Sequence, residues 1–189
     1  MKKLLLLGFL FALTPVRAEL RVPAFTAYLE PNPDGARVSE RSGIEGWNNP
    51  ALKVEWFGEI KTPGKLDATV ALRLPAGEKS RLRLTVAGKS SETVATGNST
   101  NLVMASFGSF AIATPGYQRF TLESLNVAGK SSGDLDALIL DGPASVGAHF
   151  NLKERRNAAS VHLMYPVPKE TKVQAFYCEV TGVEDPLWT

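Results

Sequence analysis

The chain has 189 residues, a formal net charge of +2, a hydrophobic fraction of 44% and one cysteine. That length is ample for a buried core, while a lone cysteine excludes an intramolecular disulfide, so packing must hold the fold. The small net charge leaves no electrostatic footprint for nucleic acid or an anionic membrane.

Residues 1–18 carry the three parts of an export signal: Lys2 and Lys3, an apolar run from Leu4 to Leu13, and the small-residue site Val16-Arg17-Ala18. Cleavage is expected near Ala18, giving a secreted or periplasmic protein. Loss of Lys2, Lys3 and Arg17 takes the formal charge from +2 to −1. No other stretch approaches the ~18 apolar residues of a membrane span, so no membrane insertion is expected after cleavage. Position 19 is Glu and not Cys, which excludes a lipoprotein anchor there.

Leu20 to Glu30 reads as a first strand, stopped by Pro31-Asn32-Pro33-Asp34-Gly35, which supplies fixed and positive φ values for a reversal. Ala36 to Leu52 has no sustained period and is expected to be a surface loop at one end of the domain. Val54, Trp56 and Ile60 then share a parity, as do Ala68, Val70, Leu72 and Leu74, and again Leu82, Leu84 and Val86; period two means strands. Pro63-Gly64 and Pro75-Ala76-Gly77 separate them as turns, and Ser106–Ala113, Tyr117–Val127 and Leu135–Leu140 continue the series. The echo Val86-Ala87-Gly88-Lys89-Ser90-Ser91 and Val127-Ala128-Gly129-Lys130-Ser131-Ser132 predicts two similar turns at strand ends. The pattern defines an all-β protein, an antiparallel β-sandwich over residues 19–143, because each amphipathic face needs a cover. Beyond it, 144–189 is read as a linker strand and the incomplete start of a second β module, with strand-like runs at 145–152, 158–166 and 173–181.

Trp47 beside Asn48 and Asn49 suits a sugar: an aromatic face packs on pyranose C–H groups while amides bond the hydroxyls. The competing role for a loop Trp is to plug the end of the sandwich. Tyr117, after Pro115-Gly116, is a second aromatic candidate, whereas Trp56 belongs to the core by parity. Glu30, Asn32, Asp34 and Asp141 offer oxygen ligands for a structural calcium, with Glu30, Asp34 and Asp141 as the metal set, against a plain turn role for Asn32 and Asp34. No catalytic residue is assigned. Gly88-Lys89-Ser90 and Gly129-Lys130-Ser131 lack the upstream Gly and the helix of a phosphate loop, and His149 and His162 have no ligand spacing. Asp134 and Asp136 share a parity as a glycosidase pair would, but solvent is the simpler partner. Cys178 is read as a buried structural thiol.

The run Gly43-Ile44-Glu45-Gly46-Trp47-Asn48-Asn49, Val54-Glu55-Trp56-Phe57, Pro63-Gly64 and Leu72-Arg73-Leu74-Pro75-Ala76-Gly77 resembles a β-sandwich of secreted bacterial proteins, domain of unknown function 5077. Gly108-Ser109-Phe110-Ala111-Ile112, Gly116-Tyr117-Gln118-Arg119-Phe120 and Leu135–Leu140 extend the resemblance over residues 22 to 142. Ser160–Pro166 and Phe176–Thr181 resemble the opening of a module that often follows it, domain of unknown function 3472. The sandwich is more distantly similar to carbohydrate-binding modules of families six and thirty-five. That similarity implies a jelly-roll, galactose-binding-like fold, sugar recognition by aromatic side chains in end loops, and a structural calcium. The resulting expectation is a non-catalytic secreted module with a glycan ligand. Its rivals are an accessory part of a polysaccharide-active enzyme whose catalytic module is missing, and a protein-interaction sandwich of the cell envelope.

Overall fold

A computed structural model describes residues 19–32, 34–98 and 102–152 of the chain. The expected antiparallel sandwich is present. One sheet is built from β3 (Arg37–Ser39), β4 (Gly43–Glu45), β11 (Asp134–Asp141), β6 (Gly64–Arg73) and β9 (Leu102–Ile112) in that order, with β1 (Leu20–Pro23) also on β11. Facing it, β12 (His149–Phe150), β5 (Lys53–Ile60), β10 (Gly116–Ser124), β7 (Lys79–Val86) and β8 (Lys89–Thr96) run in order, with β2 (Tyr28–Glu30) also on β5.

The parity read from the sequence is the parity of burial. Val54, Trp56 and Ile60 on β5, Ala68, Val70 and Leu72 on β6, and Leu82, Leu84 and Val86 on β7 all enter one core, because alternate side chains of a strand face opposite sides. Leu20 to Glu30 is not one strand. A 3₁₀ turn, Ala24–Thr26, carries the chain from the first sheet to the second, held by Thr26 Oγ1 donating to the Pro23 carbonyl at 2.8 Å. The Trp56 indole donates to that same carbonyl at 3.2 Å, so one core side chain fixes the crossover.

Further readings are corrected. Residues 36–52 contain the hairpin β3 and β4, whose strands are too short to show a period. Strand β8 has no period to read in the sequence, because Lys89–Thr96 offers only Val94 and Ala95 as apolar residues. The two echo segments differ: Ala87 and Gly88 make a tight turn at φ 49° and 72°, whereas 127–132 lies in the connection after β10. The sandwich also continues past residue 143, since β12 returns to β5 with His149 opposite Glu59 and Phe150 opposite Gly58. A Cβ at position 58 would stand 2.3 Å from the Phe150 ring, so only glycine admits that ring. The ring also meets Phe120 edge to face, with centroids 5.3 Å apart. The signal, the strands expected at 158–166 and 173–181, His162 and Cys178 lie outside the described residues.

Strand direction fixes the two ends of the sandwich. Lys53 of β5 lies opposite Glu30 of β2 and Glu123 of β10, and Ile60 lies opposite Gly116. On the other sheet Arg73 opposes Asp134, and Asp67 opposes Asp141. The loop 46–52, Glu30, Arg73 and Asp134 therefore share one end; Ile60, Gly64, Gly116 and Asp141 share the other.

Candidate functional site

Loop 46–52 does not present Trp47 to solvent. The side chain is 0% exposed, and its Nε1 donates to the carbonyls of Asn49 and Leu52, both at 3.1 Å. The connection before β11 clamps it from outside: Ser132 N–H donates to the Trp47 carbonyl at 2.8 Å and Gly129 N–H to that of Asn48 at 2.9 Å. Trp47 is thus an end plug, the structural alternative weighed for it, and its ring cannot pack on a sugar from this position. Asn48 and Asn49 are exposed, and the Asn49 Oδ1 accepts from the Ala51 N–H at 3.0 Å to close the loop. Tyr117 is 70% exposed but stands at the opposite end, where it faces Glu59. The four residues do not form one site.

The proposed metal set divides in the same way. Glu30 and Asp34 flank the turn at the Lys53 end, with Asn32 Oδ1 accepting from the Asp34 N–H at 3.1 Å, while Asp141 lies at the Ile60 end beside Gly142. Strands spanning the sandwich keep these carboxylates about 20 Å apart. Among the described residues no three His, Cys, Asp or Glu side chains gather as a metal cluster.

What the Lys53 end does contain is a pocket of about 560 Å³ lined by Arg37, Ser39, Arg41, Ser42, Glu45, Arg73 and Asp134. The β3–β4 hairpin forms one wall. Its turn is locked by Ser39, whose Oγ accepts from the Ser42 N–H at 3.1 Å and meets the Ser42 hydroxyl. The Ser42 hydroxyl donates to Glu45 at 2.9 Å, and Arg37 reaches the same carboxylate oxygen. Those two contacts, the hydroxyl first, hold the Glu45 carboxyl below its ordinary value. Gly43 seats the hairpin: its φ is +78°, and a Cβ there would stand 2.0 Å from the Leu135 carbonyl oxygen of β11.

β11 and β6 form the other wall. Arg73 donates to Asp136 at 3.1 Å, and the guanidinium of Arg21 on β1 meets the second oxygen of that carboxylate. Asp136 thereby anchors two arginines and turns away from the role its parity with Asp134 suggested. Asp134 faces the pocket, taking a 3.3 Å hydrogen bond from the Gly46 N–H. Sequence reasoning missed this site because its walls come from segments far apart in the chain. The polar run Arg37-Val38-Ser39-Glu40-Arg41-Ser42 was the available signal.

Fold and site together define a β-sandwich module with a polar pocket at one end. Residues 22–145 match the domain of unknown function DUF5077, and the chain belongs to that family. Among solved structures, a CBM36-1 domain of a multidomain xylanase from the hindgut metagenome of Trinervitermes trinervoides is 18% identical at TM-score 0.49, covering 66% of this chain and 98% of that one. CBM35 from Cellvibrio japonicus Abf62 is 14% identical at TM-score 0.50, covering 70% and 97%. An exo-beta-1,3-galactanase from Phanerochaete chrysosporium is 12% identical at TM-score 0.48 over 67% of this chain and 30% of its own. Comparison with curated proteins returned no match. At these identities the likeness defines the fold, that of carbohydrate-binding modules, some of which are parts of enzymes.

Proposed function

We propose that the chain is an exported, non-catalytic carbohydrate-binding module whose site is the pocket between the β3–β4 hairpin and the Arg73 and Asp134 ends of β6 and β11. The observation that carries this reading is the pocket's chemistry. Guanidinium groups donate in fixed forks, the Asp134 carboxylate accepts, and the Ser39 and Ser42 oxygens, whose protons are held within the hairpin, can accept as well, which is an inventory that vicinal sugar hydroxyls can use. The fold shared with the Cellvibrio japonicus module agrees with it, although fold alone never assigns a ligand.

The non-catalytic part of the reading is supported by the carboxylates. Glu45 is committed to Arg37 and Ser42, and Asp136 to Arg21 and Arg73. Among the described pocket residues that leaves Asp134 as the carboxylate not engaged by an arginine, where glycoside cleavage uses a pair. The export signal read in residues 1–18, with cleavage near Ala18, supports a location where polysaccharide is found.

The test is sedimentation of the full exported chain with insoluble polysaccharides and titration with soluble ones, beside an Arg73→Ala and Asp134→Ala double variant. Binding by the wild-type chain that the double variant loses, with no sugar released, is expected. Failure to bind any polysaccharide, or steady release of reducing ends, would refute the reading.

A further inference from the structure

Charge is not balanced in this pocket. Arg37 is matched by Glu45, and Arg73, together with Arg21, by Asp136. Among the described residues Arg21, Arg37, Arg73, Arg81, Arg83 and Arg119 each have a carboxylate within 4.0 Å; Arg41 has none. Its neighbour Glu40 is exposed on the same turn and does not line the pocket. Among the lining residues three guanidinium groups, Arg37, Arg41 and Arg73, meet two carboxylates, Glu45 and Asp134.

We infer that the pocket selects a saccharide bearing a negatively charged substituent, a uronate carboxylate or a sulfate ester, and that Arg41 receives the charge. The inference rests on the carbohydrate-binding reading and adds the ligand's chemical class. A neutral sugar seated over Arg41 would strip water from a cation and return only hydroxyl contacts, a poor exchange for a desolvated charge. A planar or multi-oxygen anion offers the guanidinium paired, charge-assisted hydrogen bonds. The turn that carries Arg41 is already ordered by the Ser39 and Ser42 bonds and by the seating of Gly43 on β11, so little backbone freedom is lost on binding. Asp134 remains to accept from the ring hydroxyls, and it disfavours an anion placed on its own side of the pocket.

Calorimetric titration of the full exported chain decides it, with a galacturonate oligosaccharide, an O-sulfated galactose oligosaccharide and a neutral galactose oligosaccharide as probes. One anionic probe is expected to bind at least about tenfold more tightly than the neutral one. That margin should shrink in about 0.5 M salt and vanish in Arg41→Gln at unchanged melting temperature, with Arg41→Lys restoring part of it. Which anionic arm wins identifies the substituent. Equal binding of all three probes, or an anion preference that survives Arg41→Gln, overturns the assignment while leaving carbohydrate binding intact. Absence of binding by these probes and by a neutral polysaccharide panel overturns both.

Discussion

Replacing Trp47 by alanine separates an end plug from a sugar platform. The wild-type side chain is fully buried, with its Nε1 shared between the Asn49 and Leu52 carbonyls. Removing a buried Trp forfeits transfer energy and leaves a cavity, about 3–5 kcal/mol in comparable cores. For a domain of this size that lowers the melting temperature by roughly 10–20 °C. Trp47→Phe keeps most of the ring and drops the donor, so its cost should be about 1–3 kcal/mol. Denaturant unfolding followed by far-ultraviolet circular dichroism is the suitable assay, because fluorescence changes with the Trp itself. A loss under about 1 kcal/mol for Trp47→Ala, the range of exposed substitutions, joined to loss of glycan binding, would refute the burial argument and restore Trp47 to the ligand surface.

Glu55 is buried, and desolvation raises its carboxyl above the ordinary 4.5 despite the Thr121 hydrogen bond. The folded state therefore holds this proton more tightly than the unfolded one, and stability falls as pH rises from about the unfolded value through the folded one. Glu55→Gln should be at least as stable as wild type at pH 7, with the difference disappearing in acid; a variant less stable at pH 7 than in acid, relative to wild type, would contradict the sign. Asp136→Asn should cost about 1–3 kcal/mol, because two guanidinium groups lose their shared carboxylate, as chemical denaturation would report. Gly43→Ala forces a Cβ against the Leu135 carbonyl and should loosen the β3–β4 hairpin, read as faster amide exchange at 37–45 with β5 to β10 unchanged. Tyr117→Ala, at the far end, should alter neither stability nor glycan binding in the same titrations.

The strands of the core were legible because one face of each is buried, which writes period two into Val54, Trp56 and Ile60 or Leu82, Leu84 and Val86. What escaped depends on contacts distant in sequence. The loop that carries buried Trp47 is pinned by backbone bonds from Gly129 to Asn48 and from Ser132 to Trp47, which its own neighbours cannot reveal. The separation of Trp47 from Tyr117 was within reach: Trp47 precedes β5 and Tyr117 opens β10, and antiparallel neighbours begin at opposite ends. The same counting separates Glu30 from Asp141. The pocket stayed hidden because β3 and β4 are too short for periodicity, and because Arg73 and Asp134, sixty-odd positions apart, become neighbours only through the register of β6 and β11.

The most direct test of the binding pocket is nuclear magnetic resonance titration of the assigned chain with the tightest saccharide found. Amide and guanidinium shifts should concentrate at Arg37, Ser39 to Ser42, Glu45, Arg73 and Asp134, leaving the Ile60 end and Tyr117 unmoved. Shifts centred on Tyr117 and Glu59, with the Arg41 turn silent, would contradict it.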